Sequence, residues 1–218
     1  MKLSVMQPYF SPYLGYFQMI NAVDKFVFYD DVNFIKNGWI NRNKISINCK
    51  DHIFTIPLKN QSSFKKINET NIDWTDKGVD KLIKTFQQEY KNKNKELLES
   101  IINLFSEKPE TISELAINSI KLFCDYLEIT TEMKKSSELN IGRSEDRVDN
   151  LIKICNLEEC EDYINPIGGS SLYNKENFLD RGVNLYFIQG KPSLSIIDVC
   201  MNTDKQEIIK ELSDFKLI

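Results

Sequence analysis

The start of the chain restricts the fold more than any other segment. Leu3–Met6 is a short apolar run, and Leu14, Phe17, Ile20 and Val23 then recur at helical spacing. The apolar run Phe26–Tyr29 follows and ends in two carboxylates. This order predicts a strand, a helix that begins near Gly15 and a second strand. Such a unit has parallel strands joined by a right-handed crossover.

The rest of the chain extends this pattern. "KISINCKDHIFTIPL" predicts a β-hairpin centred on Lys50-Asp51. Three stretches with helical spacing follow, the last with Thr111 as N-cap and Glu114 as its capping-box partner. A weak strand in "TTEMKKSSEL", a helix capped by Ser144, a strand before a Pro-Gly-Gly turn, a short helix stopped by Gly182 and the strand "VNLYFIQ" come next.

We therefore predict the α/β class, with a parallel Rossmann-like sheet, a β-hairpin and a helical insertion. The expected parts are a first α/β half with the hairpin (1–72), the helical insertion (73–128) and a second α/β half (129–218). They are expected to form one structural unit.

Composition excludes several classes of protein. The chain has 28 Lys and Arg against 32 Asp and Glu, a formal net charge of -4, which argues against general nucleic-acid binding. No signal-peptide core or membrane-spanning stretch is visible, so we expect a cytoplasmic protein. Five scattered cysteines and the single His52 match no zinc pattern, so we expect reduced thiols and no metal site of this kind.

Ligands of open parallel sheets bind outside the carboxyl ends of the strands. The first segment expected there is the loop "QPYFSPYLGY", which contains the candidates Gln7, Pro8, Tyr13, Gly15 and Tyr16. Free N–H groups near Gly15 would suit a phosphate or carboxylate. The alternatives are that the helix simply begins there and that the rings form a hydrophobic plug.

The second segment, "DDVNFIKNGWINRN", interleaves polar side chains with aromatic rings, as a sugar or base site requires. Its candidates are Asp30, Asp31, Lys36, Trp39, Asn41, Arg42 and Asn43. The aspartates are also oxygen ligands that magnesium accepts. The alternatives are a structured loop over the sheet edge and an aspartate pair that orients Arg42.

Two later segments complete the candidate edge. Ser136 and Ser137 lie in a locally basic stretch, 134–147, which also contains Arg143 and which the alternative interpretation treats as solvated surface. Gly168, Gly169 and Tyr173 lie in "NPIGGSSLYN", where glycines allow a ligand to approach the backbone closely. A tight strand-to-helix turn would use the same glycines.

Several of these motifs resemble a known family. "QPYFSPYLGYF…VDKFVFYDDVNFIKNGWINRN", "INPIGGSSLYNKENFLDRGVNLYF" and "LSIIDVCMN" resemble, in this order, segments of the WbqC-like proteins. The resemblance covers nearly the whole chain. It implies a role in surface-glycan synthesis of the O-antigen type, in which a glycyl or other acyl group is transferred to the amine of a nucleotide-linked or lipid-linked amino sugar.

The layout is also distantly similar to that of HIGH-type nucleotidyltransferases. Tyr13 and Tyr16 stand where those enzymes carry two histidines that stabilise phosphate charge, and Gly15 is kept. Tyrosines donate hydrogen bonds but are uncharged at neutral pH. This similarity makes ATP with magnesium a candidate cofactor.

Together these observations predict an acyl or aminoacyl transferase. Gln7, Tyr13 and Tyr16 would line the donor side, with Tyr16 counted among the catalytic residues. Asp30 and Asp31 would orient sugar hydroxyls or deprotonate the amine, and Asn41 and Arg42 would bind phosphate or carboxylate. The alternative function is a non-catalytic module that binds a sugar nucleotide or glycan for another enzyme, because no nucleophile or acid–base pair stands out.

Overall fold

A computed structural model describes all residues, 1–218. The strands are β1 (Lys2–Met6), β2 (Lys25–Phe28), β3 (Arg42–Ile47), β4 (Lys50–Thr55), β5 (Glu132–Lys135), β6 (Asp162–Pro166), β7 (Asn184–Gln189) and β8 (Lys216–Leu217). The helices are α1 (Leu14–Asn21), α2 (Lys77–Glu89), α3 (Lys95–Ser106), α4 (Ile112–Tyr126), α5 (Arg147–Leu157), α6 (Lys175–Leu179), α7 (Ile196–Asn202) and α8 (Lys205–Glu211). The predicted α/β class is confirmed.

The main sheet has six strands in the order β5-β2-β1-β6-β7-β8. The first five are parallel, and β8 pairs antiparallel with β7 at the edge. The chain moves outward from β1 to β2 and β5, then returns to β6 on the other side of β1. This confirms the Rossmann-like sheet and places the reversal of strand order between β1 and β6, where open α/β sheets form ligand crevices.

The two faces of the sheet bury different residues because side chains alternate along each strand. Phe26 and Phe28 face a large core shared with α1, the insertion helices, the hairpin, α7 and α8. Leu3, Val5 and Val27 face a smaller core formed with α5 and α6. Both faces are therefore covered, and the ends of the strands remain for a ligand. None of the helices is both long and apolar enough to cross a bilayer.

The hairpin is present, but its turn is not at the predicted position. Asn48 and Cys49 form the turn with φ of 50° and 59°, and Lys50 and Asp51 already belong to β4. A two-residue hairpin turn needs positive φ at both positions, and asparagine tolerates this conformation better than most residues. The polarity of Lys50-Asp51 reflects an exposed strand.

The helix ends follow their capping chemistry. Thr111 Oγ1 accepts a hydrogen bond from Glu114 N, and Glu114 Oε2 accepts one from Thr111 N, both at 3.2 Å, so the predicted capping box is confirmed. The predicted cap of α5 is wrong. Asp146, rather than Ser144, caps that helix by accepting a hydrogen bond from Val148 N at 2.8 Å.

Candidate functional site

The carboxyl edge of the sheet brings three of the predicted segments side by side. Met6 of β1 is in register with Phe28 of β2, and Phe28 is in register with Lys135 of β5. The next residues along each strand therefore emerge together, with neighbouring strands about 4.8 Å apart. They are Gln7 from β1, Asp30 and Asp31 from β2, and Ser136 and Ser137 from β5.

Asp30 is a buried carboxylate held by the turn after β5. Its Oδ1 accepts a hydrogen bond from Ser137 N at 3.0 Å, and its Oδ2 accepts one from Ser137 Oγ at 2.7 Å. The Ser136 hydroxyl lies between the two carboxylates, 3.2 Å from Asp30 Oδ1 and also in contact with Asp31. Because Asp30 faces protein donors, it positions the β5 turn and does not present its charge to solvent.

Asp31 is the more accessible carboxylate and forms a two-pronged ion pair. Arg143 Nε donates to Asp31 Oδ2 at 2.9 Å, and Arg143 Nη2 donates to Asp31 Oδ1. The guanidinium also lies 4.7 Å from the centre of the Tyr29 ring. Burial raises the pKa of Asp31, but hydrogen bonds from Arg143 and Ser136 outweigh burial and leave that pKa lowered. Asp31 is thus an ionised group at neutral pH.

The hydrogen bonds of Asp30 and Asp31 determine whether this pair can bind the magnesium ion that the sequence suggests. Every oxygen of Asp30 and Asp31 already accepts a hydrogen bond from a serine or from Arg143. No group of three or more His, Cys, Asp and Glu side chains is arranged to hold a metal ion. The aspartate pair therefore does not fit a magnesium ion in this arrangement, since the ion would have to displace Arg143.

An aromatic cavity with a volume of about 420 Å³ opens among loops that follow β1, β2 and β7. Its lining comes from the first loop, the 33–44 segment and the turn after β7: Tyr9, Pro12, Tyr13, Trp39, Asn43, Lys44, Gly190, Pro192 and Ser193. This is within the size range of small-molecule sites, about 300–1,000 Å³. A larger open groove of about 710 Å³ runs between α3 and α4, away from the strand ends and with charges of both signs.

The tyrosines of the cavity remain hydrogen-bond donors. Burial, followed by the neighbouring Tyr13, raises the pKa of Tyr9 to about 12, and burial raises the pKa of Tyr13. Tyr9 Oη lies 3.4 Å from Gln7 Oε1, the side chain that leaves β1 at the same edge as the carboxylates. Aromatic faces and phenolic hydroxyls give the cavity the chemistry to bind a ring that carries hydrogen-bond acceptors. Lys44 also lines the cavity, and its ammonium group pairs with Asp51 at 3.4 Å.

Hydrogen bonds fix the first loop to several distant parts of the chain. Ser11 has a φ of 47°, its amide donates to Ser119 Oγ at 3.0 Å, and its carbonyl accepts from Asn43 Nδ2 at 2.6 Å and Ser195 Oγ at 3.0 Å. Pro12 O accepts from Ile196 N at 2.8 Å. The loop is thus fixed before any ligand arrives, which reduces the ordering cost of binding.

The start of α1 is occupied by the turn after β7. Ser193 Oγ accepts a hydrogen bond from Leu14 N at 2.9 Å. A Cβ on Gly190 would lie 2.7 Å from Gly15 Cα, and one on Gly15 would lie 3.1 Å from Lys191 O. Gly15 therefore allows this turn to pack closely, and an anion at the helix start would have to displace Ser193.

Tyr16 and Tyr13 occupy different environments, although the sequence groups them. Tyr16 is fully buried among Tyr9, Phe17 and Phe26, and its hydroxyl donates to Gln7 O at 2.9 Å. This placement argues against a catalytic role for Tyr16. It also weakens the parallel with the two histidines of the HIGH-type enzymes, because only Tyr13 lines a cavity. Pro8 is likewise buried.

The polar residues after Trp39 mainly hold their own loop together. Asn41 is buried, and its Nδ2 donates to Ile56 O at 2.8 Å. Arg42 donates from Nε to Gly38 O at 2.7 Å and stacks on Trp39 at 5.3 Å. Neither side chain is free for a phosphate, which argues against that predicted role. Asn43 lines the cavity, and Lys36 is exposed on the loop.

The turn after β6 lies further along the edge. A Cβ on Gly169 would be 2.0 Å from Asn165 Nδ2, so this glycine makes room for Asn165, whereas Gly168 faces open space. Tyr173 packs its ring edge-on against Phe178 at 5.9 Å, and both Tyr173 and Tyr29 border the smaller core. The predicted backbone approach of a ligand stays a prediction for Gly168.

Sequence reasoning missed several residues of this region. Arg143 was recognised only as part of a basic stretch, although its position after β5 places it at the same edge as Asp31. Its neighbours Lys134 and Lys135 are paired with Glu158 and Glu138. Tyr9, Lys44 and Ser193 join the cavity through contacts distant in sequence, which no local pattern indicates.

Comparison with known proteins now supports the earlier resemblance. The sequence pattern of the WbqC-like protein family matches residues 7–210. The chain belongs to the WbqC-like protein family. The uncharacterized protein Rv1507c of Mycobacterium tuberculosis is 24% identical to it over 218 residues, an alignment that covers 92% of this chain and 93% of the relative. No solved structure matches the chain.

Proposed function

We propose that this WbqC-like protein binds a nucleotide-linked amino sugar at the carboxyl edge of its sheet. It transfers an acyl or aminoacyl group, such as glycyl, to the sugar amine during synthesis of an O-antigen-type surface glycan. The proposal rests on one observation. The Asp31–Arg143 pair and the aromatic cavity lie at the same carboxyl edge of the sheet, since Asp31 follows β2, Tyr9 follows β1 and Gly190 follows β7.

The two halves of this site suit different parts of such a ligand. Tyr13 and Trp39 offer faces and donor groups to a sugar or base ring. Each Asp31 oxygen has a second lone pair with which to accept a hydrogen bond from a hydroxyl or an ammonium group, and Arg143 Nη1, which takes no part in the pair with Asp31, can donate to a phosphate oxygen. Asp30 acts on the site by fixing the Ser136-Ser137 turn.

A second function is favoured by the state of the carboxylates. Asp31 has a lowered pKa and is paired with Arg143, so it is a weak base for a protonated amine. Four of the five cysteines are buried, and His52 lies on the hairpin strand β4. These features fit a non-catalytic module that binds the sugar nucleotide for another enzyme.

Binding is tested first, by calorimetric titration with a panel of nucleotide-linked amino sugars. Asp31→Asn should weaken binding at least about tenfold, equivalent to about 1.4 kcal/mol. The matched control is Asp149→Asn, which removes a carboxylate paired with Lys153 at 2.9 Å on α5 and should bind like the wild type. An unchanged affinity in Asp31→Asn removes this residue from the site.

The shared cavity is tested by a double-mutant cycle with Tyr13→Ala and Trp39→Ala. Residues that contact one ligand should be non-additive, whereas independent positions add within about 0.5 kcal/mol. Mass spectrometry of the bound sugar nucleotide, after incubation with ATP plus glycine or with acyl thioesters, separates the two functions. Binding with a mass increase supports transfer, and binding without one supports the module. No binding of any member of the panel contradicts both.

A further inference from the structure

Charge is unevenly distributed around the loops that flank the cavity. Residues 33–39 and 59–66, which we call the basic loop pair, contain Lys36, Lys59, Lys65 and Lys66 and no aspartate or glutamate. The whole chain carries a formal net charge of -4. A local charge of +4 in fifteen residues is therefore opposite in sign to the rest of the protein.

The two loops lie side by side in the fold. Asn33 forms an isolated antiparallel bridge with Lys66, and Phe34 N donates to Lys65 O at 2.8 Å. Continuing this antiparallel register by one residue places Phe64 opposite Ile35. The basic loop pair is therefore one continuous surface, although the 19 residues 40–58 separate its two halves in the chain.

This surface exposes large apolar side chains among its lysines. Phe64 is 92% exposed, Ile35 is 51% exposed and Trp39 is 44% exposed. Phe64 N lies 3.2 Å from Ser62 Oγ, and Lys65 N donates to Ser62 O at 3.3 Å, so the loop that carries the phenylalanine is held in shape. An ordered loop that directs an aromatic ring into solvent indicates a partner that receives the ring.

The lysines of the basic loop pair are free to meet an anionic partner. None of the four forms an ion pair with a carboxylate. The nearby carboxylates have other partners, since Glu69 Oε2 accepts from Lys66 N and Asp73 Oδ1 accepts from Thr75. Hydrogen bonds from Thr75 and, more weakly, the charge of Lys59 lower the pKa of Asp73, so Lys59 is partly compensated. The charges of Lys36, Lys65 and Lys66 have no such partner.

We propose that the basic loop pair docks the protein on the surface of a bilayer that contains anionic lipids. Exposed Phe, Ile and Trp side chains enter the boundary between headgroups and acyl chains, and lysines beside them meet lipid phosphates. The negative charge of the remaining surface is repelled by such a bilayer, which orients the protein with these loops toward it. A nucleic acid is less well matched, because aliphatic Ile35 offers nothing to a base or phosphate.

The docking proposal stands independently of the proposed function, but it affects the site. Trp39 belongs both to the basic loop pair and to the cavity lining. A bilayer in contact with these loops would lie beside the mouth of the cavity. A ligand held in the membrane by a lipid tail could then present its headgroup to Tyr13 and Trp39.

The experiment is sedimentation of the full chain with vesicles of phosphatidylglycerol and phosphatidylcholine in equal parts, and with vesicles of phosphatidylcholine alone. We expect binding to the anionic vesicles only. Binding should be lost at about 1 M salt, where the Debye length is about 3 Å. Lys36→Gln with Lys66→Gln should lower the partition coefficient about 30-fold, at about 1 kcal/mol per lysine.

The matched control is Lys91→Gln with Lys93→Gln, two exposed lysines without ion pairs in the turn after α2. The start of α2 lies near Pro57, and the 13 residues of the helix place the turn that carries Lys91 and Lys93 about 20 Å from that start. Phe64→Ser should weaken binding several-fold without changing the thermal unfolding temperature. Leu157→Ser changes the last residue of α5, which is 51% exposed, and should leave both vesicle binding and the unfolding temperature unchanged.

Three outcomes would overturn the proposal. The first is absence of binding to anionic vesicles at low salt. The second is equal loss of binding in the lysine variant and in its control, which would indicate general charge attraction. The third is binding of a single-stranded oligonucleotide in preference to the vesicles, with the same dependence on Lys36 and Lys66, which would make the surface a nucleic-acid site.

Discussion

The two adjacent aspartates, Asp30 and Asp31, should respond differently to the same substitution. Asp30→Asn alters a buried carboxylate that faces only protein donors, whereas Asp31→Asn alters one that pairs with a partly exposed arginine. We therefore expect Asp30→Asn to lower the stability of the fold clearly. Asp31→Asn should leave most of that stability in place and act on ligand binding.

The expected size follows from the contacts. Asp30 accepts hydrogen bonds from Ser137 N, Ser137 Oγ and, in part, Ser136 Oγ. A hydrogen bond to a charged group contributes about 1.5–3 kcal/mol and a neutral one about 0.5–1.5. Asparagine keeps an acceptor but loses the charge, so about 1 kcal/mol is lost per bond. Because burying a neutral amide costs less than burying a carboxylate, the net loss is about 2 kcal/mol.

The corresponding figure for Asp31→Asn is smaller. Its side chain is 13% exposed, and that of Arg143 is 30% exposed, so water solvates the arginine once the pair is broken. Exposed ion pairs contribute about 0–1 kcal/mol, and the bidentate contact with Arg143 places this pair near the upper end of that range. For a chain of this length, 1 kcal/mol shifts the melting temperature by about 2–4 °C. Asp30→Asn should thus melt about 4–8 °C below the wild type, and Asp31→Asn no more than about 4 °C below it.

The assay is reversible urea unfolding followed by circular dichroism, with the melting temperature as a second measure. Asp149→Asn again serves as a control for removal of a partly exposed, paired carboxylate. The reasoning is refuted if Asp31→Asn destabilises the protein as much as Asp30→Asn, or if Asp30→Asn melts like the wild type.

Two further predictions concern other buried polar groups. Tyr16→Phe removes the hydroxyl that donates to Gln7 O, so it should cost about 1–3 kcal/mol and lower the melting temperature, whereas a ligand contact would leave that temperature unchanged. Burial raises the pKa of Glu158, but hydrogen bonds from Lys134 and Lys25 outweigh it, so the folded pKa lies below the usual 4.5. The stability that Glu158 contributes is therefore present above pH 4.5 and is lost as the pH falls through the folded pKa. In urea unfolding, the free energy of unfolding of Glu158→Gln should fall less steeply with decreasing pH across that range than that of the wild type. Equal pH dependence in the two proteins would contradict this role of Glu158.

Local sequence patterns were sufficient for most of the fold. The strand–helix–strand unit at the start of the chain is specified by apolar spacing, and parallel pairing follows from the length of the crossover. The Asn48-Cys49 turn and the Asp146 cap were misplaced for a different reason. Several neighbouring polar residues can make the same turn or cap, and the choice among them depends on backbone angles that composition does not encode.

The candidate site was predictable only in part. The position of Asp30 and Asp31 after a buried strand placed them at the carboxyl edge, and the structure puts both there. Their difference in burial depends on the turn after β5 and on Arg143, which lies more than 100 residues away in sequence. Likewise, Asn41 and Arg42 have the chemistry of ligand-binding residues, but their hydrogen bonds are satisfied by nearby carbonyl groups.

The ring-rich first loop contributes aromatic side chains both to the core and to the cavity. Phe10 and Tyr16 pack in the core, while Tyr9 and Tyr13 line the cavity. A flexible loop could not keep two rings in the core and two rings in the cavity, because any movement of the loop would displace all four rings. The buried prolines restrict the backbone, and the hydrogen bonds of Ser11 fix the loop to three distant parts of the chain. The core side of the loop therefore stabilises the orientation of the cavity side, and a substitution at Phe10 should disturb the cavity without touching a ligand.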